Sequence, residues 1–262
     1  MILEVKNGYF GYSGEKEILS DINLEISEGK ALAILGPNGV GKTTLLKCMT
    51  GLLEWRTGHT FLYGKDIKGK KPKEIWSVIS YIPQARSFAF SYTGMEMVLI
   101  GRSVHMGTFA QPGKKELEMA EDIMERVGIV HLAKKSCNQM SGGELQLVLI
   151  ARALISEPKC IILDEPETGL DFHNQIVVLN MIDKLVHDEG ISAVMNTHYP
   201  TNALSVSDHA FLMTRSGSYY FGDTQEILTE KNIMEAFQVD VVVSEVLHKG
   251  KTVRSIVPVA LL

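Results

Sequence analysis

The pattern of apolar and polar positions changes character along the chain. Residues 2–12 and 18–26 alternate apolar and polar side chains, which predicts two short strands that each bury one face. Residues 31–35 form an uninterrupted apolar run, which is typical of a strand buried on both faces. A glycine-rich turn follows this run, and residues 42–51 are predicted to form a helix.

The middle of the chain is predicted to be mostly helical, because apolar residues recur at helical spacing over residues 91–155. Strand patterns resume at residues 160–163 and 191–195, with a helix predicted near residues 174–186 between them. This β-α-β alternation indicates a parallel sheet. The predicted fold class is therefore α/β, with a helical insertion at about residues 88–155 of one domain.

We place that domain at residues 1–238 and a small C-terminal appendage at residues 239–262. Lys and Arg number 26 against 31 Asp and Glu, so no basic excess argues for nucleic acid as a partner. The three cysteines form no C-x-x-C pair, which fits a reducing compartment. We find neither a secretion signal nor a run of about 18 apolar residues. Any membrane role is therefore expected to come through a partner.

A glycine-rich loop separates the apolar run from the first predicted helix. It matches G-x-x-x-x-G-K-[ST] with Gly36, Pro37, Asn38, Gly39, Val40, Gly41, Lys42 and Thr43. Glycines allow backbone N–H groups to turn inward around phosphate oxygens, and the helix start adds partial positive charge. We predict that Lys42 bridges the β- and γ-phosphates and that the Thr43 hydroxyl binds Mg²⁺. A turn that binds nothing is the alternative, which the strand–loop–helix context disfavours.

The strand predicted at residues 160–163 is followed by two carboxylates, Asp164 and Glu165. In phosphate-loop enzymes an acidic residue at this place holds Mg²⁺. We assign Asp164 to the metal and Glu165 to general-base activation of the attacking water, a role typically worth about 10²–10⁴ in rate. Solvated acids that end a strand are the alternative for this motif alone. Together the two motifs predict a Mg-nucleotide phosphohydrolase, and the absence of an N-K-x-D segment disfavours a GTPase.

A sharper signal is the tetrapeptide Ser141-Gly142-Gly143-Glu144, just upstream of the acidic strand. A serine followed by two glycines opens a helix and offers a hydroxyl and free N–H groups to an anion. In isolation an ordinary helix cap would be the simpler interpretation. In this order, however, the motifs resemble those of ABC-type ATPases, whose signature occupies this place. The resemblance covers nearly the whole chain and implies a P-loop NTPase (RecA-like) core, an N-terminal antiparallel β-subdomain and an inserted α-helical subdomain.

The same resemblance implies roles for four further residues. Tyr12 would stack on adenine, Gln84 would link Mg²⁺ and water to the helical subdomain, and His198 would contact the γ-phosphate. Asp171 matches the loop that crosses to a partner subunit. Without the other motifs, a core tyrosine, a solvated glutamine, a surface histidine and a helix cap would be the ordinary interpretations.

The predicted site thus combines ATP and Mg²⁺ with three sets of residues. The catalytic residues are Glu165, His198 and Gln84. The metal ligands are Thr43, Gln84 and Asp164. The nucleotide contacts are Tyr12, Gly36, Pro37, Asn38, Gly39, Gly41, Lys42, Thr43, Thr44, Ser141, Gly142, Gly143, Glu144 and Asp171.

Three positions depart from the family pattern. Met140 stands where leucine is usual, and Glu144 replaces the usual glutamine. Tyr199 follows His198 where aspartate is common. We expect the first two changes to leave the mechanism intact. The third puts the hydrogen bonding around His198 in question.

The resemblance also implies partners and a place in the cell. In the family, the signature of one copy faces the phosphate loop of another, so two ATP molecules lie between two copies. Residues 91–109 are similar to importers of metal chelates (iron–siderophore, heme and cobalamin) with molybdate-type relatives. We therefore expect a multi-spanning permease, an extracytoplasmic substrate-binding protein acting indirectly, and a peripheral location on the cytoplasmic face of the cell membrane. A soluble ATPase of cytosolic assembly, as in iron–sulfur cluster assembly, remains the alternative.

Overall fold

The computed structural model describes residues 1–13, 17–84, 91–106 and 111–261, with the backbone alone at Lys251. The predicted start of the helical insertion, residue 88, lies outside the described residues. Residues 107–109, which end the segment resembling the importers, also lie outside them. Within the described part, no helix has the length and apolar character needed to span a bilayer.

The chain alternates strands and helices in the order that the hydrophobic pattern predicts. The strands are β1 (Leu3–Phe10), β2 (Leu19–Ile26), β3 (Ala31–Leu35), β4 (Thr57–Leu62), β5 (Lys65–Asp66), β6 (Ile79–Ile82), β7 (Cys160–Asp164), β8 (Ser192–Asn196), β9 (His209–Met213), β10 (Tyr219–Asp223), β11 (Val239–His248) and β12 (Lys251–Leu261). The α-helices are α1 (Lys42–Met49), α2 (Pro72–Trp76), α3 (Gly94–Ile100), α4 (Lys114–Val127), α5 (Gly142–Leu154), α6 (Phe172–Asp183), α7 (Pro200–Val206), α8 (Thr224–Ile227) and α9 (Glu230–Phe237).

A six-stranded sheet with the order β10-β9-β3-β8-β7-β6 forms the centre of the fold. Neighbouring strands from β9 to β6 are parallel, and β10 pairs with β9 in the antiparallel sense. Every residue of β3 and β8 is buried, which is the pattern of strands covered on both faces. This confirms the parallel α/β core expected from the sequence. The carboxyl ends of the parallel strands meet at one edge, where Asp164 and Asn196 are register partners.

The antiparallel subdomain is also confirmed, with the order β2-β1-β4-β5. Strands β1 and β2 alternate buried and exposed residues, as the alternating sequence requires. A close approach fixes Gly8 in β1, because a Cβ atom there would lie 2.8 Å from the Trp55 ring. The subdomain shares its apolar cluster with α1 and with one face of the central sheet.

The predicted helical insertion consists of α3, α4 and α5, which lie between β6 and β7 in the chain. Their apolar stripes form a shared core that includes Met97, Val98, Ala120, Met124 and Val148. The same cluster reaches the face of β7 through Ile161 and Leu163. The helices are thereby packed directly onto the strand that carries the acidic residues.

The C-terminal residues form the antiparallel hairpin β11–β12. Val241 and Ile256 of this hairpin are buried in a cluster with Ala33 and Leu35 of β3 and Ala203 of α7. The hairpin therefore packs on the core, and the domain boundary at residue 238 stays a prediction.

Candidate nucleotide site

The glycine-rich loop after β3 has the backbone geometry that its sequence predicts. Gly36 and Gly41 have φ angles of 145° and 106°, in the left-handed region that disfavours residues with a Cβ atom. A Cβ at Gly36 would lie 2.7 Å from the Met213 carbonyl oxygen, and one at Gly41 would lie 2.7 Å from Ile18. Glycine is therefore required at both positions by conformation and by space. The loop leads directly into Lys42, the first residue of α1.

Lys42 lies inside the curve of this loop. Its ammonium donates hydrogen bonds to the carbonyl oxygens of Gly36 (2.7 Å) and Pro37 (3.0 Å). Its side chain is buried, and this burial lowers its pKa, while the nearby charges of Glu165 and Asp164 oppose that shift. A buried cation next to backbone N–H groups and a helix start suits a polyphosphate.

Asp164 ends β7 and has three hydrogen-bonding neighbours. The Thr43 hydroxyl lies 3.3 Å from both carboxylate oxygens, and the Tyr81 hydroxyl donates to Oδ2 at 2.9 Å. The buried Asn196 amide donates to Oδ1 from the neighbouring end of β8. Hard divalent cations prefer such oxygen donors. The hydroxyl of Thr43 and the carboxylate of Asp164 therefore fit Mg²⁺, with Tyr81 and Asn196 fixing the orientation of the carboxylate.

Glu165 is held in an uncommon backbone conformation beside Asp164. Its φ angle is 52°, in the left-handed region, and its N–H donates to the Asn196 carbonyl oxygen at 3.0 Å. Its Oε2 accepts hydrogen bonds from Gln84 Nε2 (3.3 Å) and Thr168 Oγ1 (3.2 Å). Its Oε1 lies 3.8 Å from Nδ1 of His198. The carboxylate faces a cavity of about 400 Å³ that Thr43 and Gln84 also line, so it is in place to act on a water.

His198 follows β8 in a turn that a hydrogen bond from a backbone N–H to a side-chain hydroxyl holds in place. The N–H of Tyr199 donates to the Thr197 hydroxyl at 3.0 Å. The Tyr199 ring lies against the imidazole with a centroid distance of 4.2 Å. The departure at Tyr199 thus replaces a carboxylate by a ring contact, while the bond from the Tyr199 N–H to the Thr197 hydroxyl holds the turn.

The signature at residues 141–144 forms the start of α5. The Ser141 hydroxyl accepts from the Glu144 N–H (3.2 Å), and the Ser141 N–H donates to the Glu144 carboxylate (2.7 Å). This is a capping box. Lys135 contacts the same carboxylate at 2.7 Å, and this ion pair and the Ser141 N–H lower the pKa of Glu144. The additional negative charge predicted here is therefore balanced within the chain.

The structure gathers most, but not all, of the predicted residues. The loop of residues 36–43 lies with Asp164, Glu165, Gln84 and His198 at the carboxyl edge of the sheet. No hydrogen bond between described residues joins the signature to this cluster.

Two other residues predicted to contact the nucleotide, Tyr12 and Asp171, contact residues outside this cluster. Tyr12 is 43% exposed and its ring meets Phe10 edge-on. Asp171 caps α6 by accepting from the Asn174 N–H at 2.8 Å. The roles of all the predicted site residues, including the nucleotide roles of Tyr12, Asp171 and Glu144, stay predictions.

Residues 19–168 match the sequence model of the ABC transporter family. The chain belongs to this family. This ABC ATPase is 34% identical to the molybdate import ATP-binding protein MolC of Haemophilus influenzae, over 98% of its own length and 96% of that relative. It is also 34% identical to the "Probable iron chelatin transport ATP-binding protein" of Helicobacter pylori, over 97% and 98% of the two chains.

The same likeness holds in three dimensions. A solved structure described as "An inward-facing conformation of a putative metal-chelate type ABC transporter" matches the ABC ATPase with a TM-score of 0.89 and 32% identity. The match covers 98% of this chain and 97% of the other. The protein is therefore an ATP-hydrolysing enzyme with the fold of ABC ATPases.

Sequence analysis missed four polar residues around the site of this ABC ATPase: Tyr81, Thr168, Asn196 and Thr197. Each lies within three residues of a predicted site residue in the chain. Asn196 and Thr197 stand at the end of an apolar strand, where a polar pair has to find buried partners. A polar pair at the end of an apolar strand was therefore the feature of the sequence from which both residues could have been predicted.

Proposed function

We propose that this ABC ATPase powers uptake of a metal chelate of the iron–siderophore, heme or cobalamin class, with molybdate as the next candidate. It would act through a multi-spanning permease that receives cargo from an extracytoplasmic substrate-binding protein. The supporting observation is likeness over nearly the whole chain to a molybdate importer subunit, an iron chelatin transport protein and a metal-chelate type transporter. These relatives are transport proteins, and none of them supports the alternative of cytosolic cluster assembly.

In the proposed hydrolysis each residue has a role that its contacts allow. Lys42 and the backbone N–H groups of residues 38–43 bind the β- and γ-phosphates and fix their position. Thr43 and Asp164 would hold Mg²⁺, with Gln84 as the third predicted ligand; the ion, when bound, neutralises phosphate charge. Glu165 accepts the proton of the attacking water.

The surrounding side chains prepare the base and the γ-phosphate for this reaction. Gln84 and Thr168 both donate to the Glu165 oxygen Oε2, which fixes its orientation. His198 lies on the other side of Glu165 and contacts the γ-phosphate in this proposal.

A second copy of the chain completes the site in this proposal. The start of α5 presents Ser141 and the N–H groups of Gly142 and Gly143, which suit a γ-phosphate. Since no hydrogen bond between described residues joins these groups to the phosphate loop of their own chain, they would serve the ATP bound to the partner copy. Binding of two ATP molecules would then hold the copies together, and hydrolysis would release them.

A groove beside the site suits the permease. It has a volume of about 180 Å³ and is lined by Tyr81 of β6, Ile100 and Gly101 at the end of α3, and Arg152 of α5. The Ile100 side chain is 41% exposed at its rim. Tyr81 lines this groove and also bonds Asp164, so a segment docked there would touch a residue of the nucleotide site.

The ATPase part of the proposal is tested with Glu165→Gln, which keeps the shape of the side chain and removes the base. We expect retained ATP binding, turnover reduced about 10²–10⁴-fold, and an ATP-dependent dimer on size-exclusion chromatography. Wild-type turnover in this variant would exclude Glu165 as the base.

The importer part is tested by co-purification of the tagged protein from membranes. We expect a multi-spanning membrane protein to co-purify, and Ile100→Glu to abolish this while ATP hydrolysis persists. Val246→Glu, on the exposed hairpin, is the matched control and should keep the complex. Recovery of soluble cluster-assembly proteins instead would contradict the importer proposal.

A further inference from the structure

A carboxylate without a role in the proposed hydrolysis lies next to the base. Glu167 follows Glu165 by two residues and has 0% of its surface exposed. Burial raises the pKa of its carboxyl group, while the Thr197 hydroxyl, its own backbone N–H and the nearby Asn202 amide act in the opposite direction. Burying such a group is unfavourable unless partners compensate. Its partners therefore indicate what Glu167 does.

One of these partners joins Glu167 to the turn that carries His198. The fully buried Thr197 hydroxyl donates to Glu167 Oε1. The Thr197 hydroxyl oxygen in turn accepts a hydrogen bond from the Tyr199 N–H at 3.0 Å. His198 lies between Thr197 and Tyr199 in the chain. The hydroxyl of Thr197 thus links the segment that follows Glu165 to both flanks of His198.

A second partner lies on α7, the helix that begins two residues after His198. Asn202 is on this helix, and its amide lies close enough to the Glu167 carboxyl to affect its pKa. Oε2 of Glu167 and Nδ2 of Asn202 are both buried and form no hydrogen bond with another described residue. One is an acceptor and the other a donor, so a small shift of α7 would satisfy both.

We propose that Glu167 is a positioning residue that ties the loop carrying Glu165 to the turn carrying His198. The two catalytic side chains, 3.8 Å apart, then keep a fixed relative position during hydrolysis. This rests on the roles of Glu165 and His198 in the proposed function. Displacements of about 1 Å at a reacting group can reduce the rate about 10²-fold, so a loosened tie should lower kcat.

The tie is broken by Thr197→Val, which removes the hydroxyl and keeps the branched shape. We expect kcat for ATP hydrolysis to fall about 10-fold or more, with KM for ATP within about threefold of wild type, because the phosphate loop is not touched. Thr197→Ser restores the hydroxyl and should restore kcat.

Glu167→Met breaks the same tie from the other side with an unbranched apolar side chain suited to a buried position. It should fold and show the same loss of kcat. Combining Glu167→Met with Thr197→Val should cost no more than the stronger single variant, since both remove one connection.

A buried threonine elsewhere provides the control. Thr60 of β4 accepts from Trp55 Nε1 at 2.8 Å, and Thr60→Val removes a buried hydroxyl in a different sheet from the one that carries both loops. Urea unfolding of Thr60→Val measures how much stability is lost when a buried threonine hydroxyl is removed. The kcat of this variant should stay at the wild-type value. If Thr197→Val and Glu167→Met both keep wild-type kcat, whatever their stability, the tie is only structural and the inference is overturned. A wild-type protein without ATPase activity would instead refute the proposed function beneath it.

Discussion

Tyr81→Phe tests whether the neighbours of Asp164 prepare it for a metal ion. The change removes one hydroxyl, which donates to Asp164 Oδ2 at 2.9 Å, and keeps the ring that lines the groove beside α3. Asp164 retains the Asn196 amide and the Thr43 hydroxyl as neighbours. The carboxylate therefore stays in place but loses one of the bonds that orient it.

The magnitude follows from the type of bond. A hydrogen bond to a charged group contributes about 1.5–3 kcal/mol. Since ~1.4 kcal/mol corresponds to a factor of ten, the lower end predicts about a tenfold loss of metal affinity. Loss of a group that orients a metal ligand typically costs about 10–100-fold in affinity, which agrees with this figure.

The assay is steady-state ATP hydrolysis titrated with Mg²⁺ at saturating ATP. We expect the Mg²⁺ concentration for half-maximal rate to rise about tenfold. Binding of a fluorescent ATP analogue without Mg²⁺ should be unchanged, because the phosphate loop is intact. Tyr220→Phe is the matched control, since its hydroxyl donates to the Glu235 carboxylate at 2.6 Å on the opposite edge of the sheet. An unchanged Mg²⁺ requirement in Tyr81→Phe would refute the proposed role of Tyr81 in orienting Asp164 for the metal.

Three further changes test other parts of the structure. Lys42→Ala should weaken ATP binding at least tenfold in equilibrium titration, and equal affinity would contradict the phosphate assignment. Glu144→Gln should reduce the loss of stability in acid: the lowered pKa of Glu144 contributes stability above about 4.5 that is lost as the pH falls below it. The free energies of unfolding of wild type and Glu144→Gln, measured with urea, should therefore differ more at pH 7 than at pH 3.5. Gly101→Ala should cost about 1–3 kcal/mol in the same assay, because its Cβ would lie 1.8 Å from the Arg152 carbonyl oxygen.

The sequence predicts the core of this fold because its signals are local. The apolar run of β3, the glycines after it and the helix start at Lys42 adjoin one another in the chain, so each supports the others. The boundaries are less well predicted. Helix α6 was expected near residue 174 but starts at Phe172, because the Asp171 side chain accepts the Asn174 N–H.

The residues that sequence analysis missed depend on contacts between distant segments. Tyr81 and Asn196 both contact Asp164, yet the three residues lie on different strands of the sheet. These strands are neighbours because of the strand order in the sheet, and the hydrophobic pattern of a single segment does not specify that order. Sequence analysis also did not predict the ion pair between Lys135 and Glu144, because it depends on how the chain turns between these two residues.

The backbone conformation of Glu165 has a consequence for how this enzyme could be evolved or engineered. A left-handed φ angle typically costs a residue with a Cβ atom about 1–2 kcal/mol, and glycine or asparagine adopts it with less strain. A screen that rewards heat resistance alone would therefore favour replacing this glutamate, and with Glu165 as the proposed base the more stable protein would hydrolyse ATP much more slowly. In that role, Glu165 sets stability against turnover at a single position.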